Sequence, residues 1–268
     1  MRRLAAPLLV LLLVTVSLAG CFQDEIVVKI NPDGSGTIEQ TFLLTRAAVK
    51  QMRSMQAQFD PDAPFSVLDK EELREKAAEF GEGVRFVSAV PLETEEGEGY
   101  RAVYAFDDVT ALDIQPETSE GPTPSFGENE DDDEPGVRFA FEPGSPARLT
   151  ILVPQEDEAA SDEPASDDDL SADSAQLANA MGMMGAVLNG LHVRLVVEPQ
   201  GAITETSAAF HDGGQIVLID VEGEALLSNV PVLQQLARTE DPSAARRFIA
   251  ETPGMQVEQQ ERVTVTFE

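Results

Sequence analysis

One side chain of this sequence is placed for covalent chemistry: Cys21, the only cysteine of the chain. A single thiol cannot form an intramolecular disulfide. Cys21 follows Leu18-Ala19-Gly20, in which small residues let an extended backbone enter a peptidase cleft. Upstream, Arg2 and Arg3 precede an apolar run that ends at Leu18. The run is shorter than the about 20 apolar residues of a membrane span, but it suits an export signal.

The residues Leu18, Ala19, Gly20 and Cys21 resemble the lipobox of bacterial lipoproteins at all four positions. The resemblance implies that the signal peptide, residues 1–20, is cleaved between Gly20 and Cys21. It also implies that the Cys21 thiol receives a diacylglyceryl group and that its freed amine is acylated with a fatty acid such as palmitate. Each buried methylene contributes about 0.8 kcal/mol, so two or three chains suffice for stable anchoring. The alternatives are an ordinary secretory signal with an incidental cysteine and an uncleaved membrane helix.

The residue after the cysteine bears on where the anchored protein resides. The lipoprotein resemblance implies the Gram-negative sorting rule, in which an aspartate at this position retains the protein in the inner membrane. Phe22 stands there instead. We therefore expect the outer membrane if the organism has one, and otherwise the outer face of the cell membrane. The expected partner is the membrane itself, through lipid on Cys21.

The chain as a whole is strongly acidic. It has 49 Asp and Glu residues against 18 Lys and Arg, which gives a formal net charge of −31. Such a field repels nucleic acid and anionic lipid headgroups, so nucleic acid is not an expected partner. The acid excess, together with few lysines, is typical of a halophilic protein. High-GC codon usage combined with two acidic tracts is the alternative explanation.

Beyond the signal, hydrophobic periodicity predicts an α+β fold. Ile26, Val28 and Ile30 alternate along a strand, and turn residues separate this strand from the next. Such hairpins recur with helices between them, which predicts an antiparallel sheet with helices packed on one face. The predicted segments are a lipidated tether at 21–25, an α+β segment at 26–114, a hairpin at 136–154, and a C-terminal α+β segment at 175–268 that we expect to share one sheet with 26–114.

Two acidic tracts interrupt this pattern, an insertion at 115–135 and a linker at 155–174. Ordering a backbone costs about 1–2 kcal/mol per residue, and these tracts have little apolar surface to offset that cost. We therefore expect both to be disordered. Asp131–Asp133 and Asp167–Asp169 could suggest calcium binding. Consecutive side chains diverge, however, and ordered calcium loops place their ligands at alternate positions.

Other residue types that serve catalysis or metal binding occur in patterns that favour structural roles. Ser35 lies in a Gly-Ser-Gly turn, which does not match the nucleophile elbow of hydrolases. His192 and His211 are the only histidines, and His192 shares a predicted polar strand face with Arg194. A two-histidine metal site would lack further ligands at suitable spacing. We therefore predict no catalytic residue, no metal ligand and no cofactor.

Two segments of the mature chain are similar to a known family. The hairpin at 26–44, and the sequence VEPQGAITETSAAFHDGGQIVLID at 197–220, resemble the LppM-type domain of bacterial lipoproteins. This resemblance implies a small α+β domain that binds an apolar ligand or an envelope protein partner without catalysis. We therefore expect a membrane-anchored lipoprotein whose domain is a non-enzymatic binding or envelope-structural module. The alternatives are a subunit of an envelope assembly and an enzyme whose site is not visible in the sequence.

Overall fold

The computed structural model describes residues 22–59, 65–115, 136–154, 185, 188–236 and 242–268. Within these ranges the chain forms thirteen strands in two mainly antiparallel sheets and five α-helices, which confirms the predicted α+β class. The lipobox and Cys21 lie outside the described residues. The acidic tracts lie outside them as well, apart from Gln115. Their predicted disorder therefore stays a prediction.

The strands are numbered β1–β13 along the chain. The first sheet consists of β1 (Phe22–Ile30), β2 (Gly36–Thr45), β3 (Arg85–Glu93), β4 (Gly97–Phe106), β8 (His192–Pro199), β10 (His211–Asp212), β11 (Gln215–Glu222) and β12 (Gln256–Val257). Its order is β10-β11-β8-β1-β2-β4-β3, with β12 pairing to β11. The second sheet has the order β5-β6-β7-β13-β9 and consists of β5 (Asp113–Ile114), β6 (Val137–Glu142), β7 (Ala147–Leu152), β9 (Ile203–Thr206) and β13 (Arg262–Phe267).

The first strand, β1, lies in the middle of the first sheet. It pairs with β2 in antiparallel register, Phe22 opposite Leu44, and with β8 in parallel register, Glu25 opposite Arg194. Both of its edges are therefore hydrogen-bonded. The predicted tether at 21–25 is wrong from Phe22 onward, because residues 22–25 belong to this strand. The start of this strand is not evident from the sequence, because Asp24 places a carboxylate at an inward position where period-two alternation predicts an apolar residue.

The hydrophobic core lies between the two sheets. Ile26 and Val28 of β1 pack in one cluster with Ile151 of β7 and with Val263 and Val265 of β13. We call the face of the first sheet that looks into this core the inner face, and the opposite one the outer face. We expected 175–268 to share one sheet with 26–114. Strands β8, β10, β11 and β12 do lie in the first sheet, whereas β9 and β13 belong to a second one. Alternation shows that a strand buries one face, but it does not show which other strand it pairs with.

The helices are α1 (Arg46–Phe59), α2 (Lys70–Lys76), α3 (Gly223–Leu227), α4 (Val230–Leu236) and α5 (Pro242–Ala250). Asp69 is the N-cap of α2, because its side chain accepts hydrogen bonds from the backbone of Glu71 and Glu72. Leu73 of α2 joins the main core. Helices α3–α5 build a second, smaller core around Leu226 and Leu233.

Candidate functional site

A cluster of charged side chains lies on the outer face, near the end of the sheet where β1 begins. The Nε2 atom of His192 lies 2.9 Å from Oδ1 of Asp220. Glu222 stands directly opposite His192 in the ladder between β8 and β11. One ligand atom from each of these three residues lies within 4.8 Å of the other two. His192 and Asp220 are half-buried, whereas Glu222 is exposed.

Arg194 connects this group to the first strand. Its Nε donates to Oδ2 of Asp220 at 3.3 Å, and its Nη1 donates to Oε1 of Glu25 at 2.5 Å. The sheet register produces this row, since Arg194 is the cross-strand partner of Glu25 on one side and of Asp220 on the other. We call Glu25, His192, Arg194, Asp220 and Glu222 the outer-face cluster. It holds three carboxylates and one guanidinium.

A second polar group, the inner-face cluster of Asp24, Gln40 and Tyr104, is buried in the core. Nε2 of Gln40 donates to Oδ1 of Asp24 at 2.9 Å. Burial raises the pKa of the Asp24 carboxyl to about 6, although the hydrogen bond from Gln40 and the charge of Lys76 oppose the rise. Among the described residues, Oδ2 of Asp24, Oε1 of Gln40 and the Tyr104 hydroxyl have no hydrogen-bond partner. Such unpaired buried atoms destabilise a fold.

The other residues singled out in the sequence lie apart from both clusters. Ser35 donates its hydroxyl to Oδ1 of Asp33 at 2.7 Å and its backbone N–H to the same oxygen, which fixes the predicted turn. These bonds lower the pKa of Asp33. His211 lies on β10 opposite Ile216, and among the described residues it does not belong to the group of His192, Asp220 and Glu222. Ser35 is thus a turn residue in this fold.

A groove of about 580 Å³ lies between α1 and the β3–β4 hairpin. Three cations of α1 line it, namely Arg46, Lys50 and Arg53. Arg53 pairs with Glu98 across the groove at 2.6 Å, and Arg46 donates to the carbonyl of Thr94 at 3.2 Å. Pockets for apolar ligands are lined mainly by hydrophobic and aromatic side chains. The charged lining of this groove does not match the apolar ligand that the family resemblance implies.

Sequence reasoning missed both clusters, for different reasons. Asp220 and Glu222 stand on another strand, far from His192 along the chain, so a search for ligands at short spacing does not reach them. The inner-face cluster did leave a signal. Asp24 and Gln40 share the inward positions of apolar neighbours on their own strands, and polar residues at such positions stand out against a period-two pattern.

Comparison with known proteins gives one solved structure that is similar to this chain. No family model matches the chain, and no curated protein does. The NMR structure of the LppM folded domain from Mycobacterium tuberculosis is similar at 12% sequence identity, covering 74% of this chain and 81% of that chain, with a TM-score of 0.29. Similarity at this level gives no basis for assigning the ligand or the partner of one protein to the other. None of the described helices is long and apolar enough to cross a membrane.

Proposed function

We propose that this chain is a membrane-anchored lipoprotein of the bacterial envelope, held by lipid on Cys21, whose domain acts as a non-enzymatic binding or structural module. One observation supports the anchoring most directly. The first described strand, β1, begins at Phe22, the residue that follows the proposed lipidated cysteine. Every described strand of the two sheets lies at or after that residue. Cleavage before Cys21 would therefore remove no strand from them.

Phe22, at the start of β1, is packed against the rest of the domain. Phe22 is 7% exposed, and its ring stacks on Phe42 with 6.0 Å between ring centroids. Lipid on the preceding residue would therefore hold this end of the sheet at the membrane surface, without an intervening tether. The outer-face cluster lies at the same end, since His192 pairs with Gln23 in the parallel ladder. We place the membrane-proximal surface of the domain there.

The edge of the first sheet favours a second candidate, a subunit of an envelope assembly. Strand β3 forms this edge, and it carries Val87 at 57% exposure and Val90 at 56%. An edge strand presents unpaired backbone groups to which another chain can add. Exposed valines on that strand give such a partner apolar surface. An envelope protein that adds a strand at β3 would fit these features.

We expect Cys21→Ser to abolish membrane attachment, because a hydroxyl does not take up the diacylglyceryl group. Cells expressing each variant are grown with a clickable fatty acid and then fractionated. The wild type should label and pellet with membranes, and the variant should do neither. Gly20→Ala is the matched control, since it keeps a small residue before the cut and should label normally. A Cys21→Ser protein that still labels and pellets would refute the lipid anchor.

A further inference from the structure

We propose that the outer-face cluster binds a divalent transition-metal ion such as Zn²⁺ through His192, Asp220 and Glu222. This inference is independent of the lipid anchor. The three side chains offer one imidazole nitrogen and two carboxylate oxygens. Zn²⁺ binds His nitrogen and Asp or Glu oxygen, and its open sites have three protein ligands with water in the fourth position. Mg²⁺ and Ca²⁺ prefer oxygen ligands alone, so the imidazole favours a transition metal.

The backbone already brings the three ligands together. His192 and Glu222 are opposite each other in an antiparallel ladder, and Asp220 stands two residues before Glu222, on the same face of β11. Bound to Zn²⁺ at about 2.0–2.2 Å, the ligand atoms would lie about 3.4 Å apart. The three atoms now lie within 4.8 Å of one another. Because Glu222 is exposed, a change of its rotamer can bring its carboxylate oxygen to the shorter spacing that the ion requires.

The outer-face cluster has a net negative charge that a divalent cation would neutralise. Glu25, Asp220 and Glu222 carry three formal negative charges, and Arg194 supplies one positive charge. The excess of two negative charges equals the charge of the proposed ion. Carboxylates this close repel one another, and a bound cation removes that repulsion.

Arg194 would support the ion rather than exclude it. It donates to Oδ2 of Asp220, whereas His192 faces Oδ1 of the same carboxylate. Asp220 can therefore give Oδ1 to the metal while Arg194 holds Oδ2. A ligating carboxylate that is also hydrogen-bonded by an outer-shell partner is a recurring arrangement in metal sites. The contact of Arg194 with Glu25 keeps the guanidinium in place.

The test is calorimetric titration of Zn²⁺ into the full chain, purified in detergent with a histidine-free tag and stripped with EDTA. About 1 M NaCl reduces the Debye length to about 3 Å, which suppresses diffuse cation binding to the acidic surface. We expect one Zn²⁺ site per chain. His192→Gln should weaken it at least about tenfold, because the loss of even an outer-shell partner typically costs about 10–100-fold in metal affinity. Mg²⁺ at the same concentration should not compete.

His211→Gln is the matched control, because it removes the other histidine, which is exposed on β10, and it should leave the affinity unchanged. Glu222→Gln is a second test variant. Its side chain is exposed, so it should fold normally and also bind Zn²⁺ more weakly. Unchanged Zn²⁺ affinity in both His192→Gln and Glu222→Gln would overturn the site. Equal losses in His192→Gln and His211→Gln, or effective competition by Mg²⁺, would overturn it as well.

Discussion

Asp24→Asn should stabilise the folded protein at neutral pH by about 2–3 kcal/mol. The pKa of Asp24 rises from 3.8 to about 6 on folding, chiefly because burial disfavours the charged carboxylate. Each unit of such a shift corresponds to about 1.4 kcal/mol. Asparagine removes the buried charge and keeps an oxygen that accepts from Gln40. Its N–H₂ group also supplies a hydrogen-bond donor that the carboxylate lacks, in a cluster where Oε1 of Gln40 has no partner.

The stabilisation by Asp24→Asn should depend on pH in one direction. Because the folded pKa lies above the unfolded one, protonated Asp24 costs nothing at pH below about 4. The cost appears as the pH rises from 3.8 to about 6, and it is complete above that. The gain from the substitution should therefore be large at about pH 7.5 and small at about pH 4.

Thermal unfolding of the full chain in detergent at these two pH values checks the prediction. A change of 1 kcal/mol moves Tm by about 2–4 °C in a domain of this size, so we expect Asp24→Asn to raise Tm by about 5–10 °C at neutral pH. Asp212→Asn is the matched control, since it removes the same charge at an exposed position and should change little. A lower Tm for Asp24→Asn at neutral pH, or an equal gain at both pH values, would contradict the account of the inner-face cluster.

Added salt should raise Tm of the wild-type protein substantially. The formal charge of −31 destabilises the compact state through self-repulsion. Raising the ionic strength from about 0.01 M to 1 M shortens the Debye length from about 30 Å to about 3 Å, so exposed carboxylates cease to repel one another. Salt also weakens surface pairs such as Arg85–Asp107, but exposed pairs are typically worth at most about 1 kcal/mol. With 49 acids and 18 bases, relief of repulsion dominates.

The salt effect is measured by thermal unfolding in NaCl, KCl, MgCl₂ and CaCl₂ at equal ionic strength. A screening mechanism predicts a broad rise with every salt. An ordered calcium site in the acidic tracts would instead saturate at micromolar to millimolar calcium and prefer it over magnesium. A sharp, calcium-selective step would contradict the screening account. A Tm that does not change with NaCl would contradict it equally.

The sequence predicted the local elements of this fold better than their arrangement. The hairpin at 26–44, with Ser35 in its turn, follows from turn residues and periodicity, and the structure has it as β1 and β2. The parallel pairing of β1 with β8 could not be predicted in this way. Strands β2–β7 separate β1 from β8 along the chain, and the period-two pattern of a strand does not identify the strand with which it pairs. The division into two sheets has the same cause.

The candidate sites were less predictable than the fold. Reasoning about His192 found its strand face and its neighbour Arg194, but not Asp220, which the register of β11 places beside it. The pairing register between strands that are distant in the sequence thus decides whether a histidine lies beside carboxylates. Asp24 was placed in the predicted tether, whereas it is buried in β1. Acidic side chains are almost never fully buried unless they are paired, and Asp24, whose pKa is raised by burial, departs from that tendency.

The claim that lipid on Cys21 anchors the chain is tested most directly by the mass of its N-terminal peptide. Membranes are extracted with detergent, and the purified protein is cleaved with trypsin. The account predicts a peptide that begins at Cys21 and ends at Lys29, heavier by a diacylglyceryl group and by an amide-linked fatty acid where the amine is acylated. A peptide that begins at Leu4, or one that begins at Cys21 with an unmodified thiol, would contradict it.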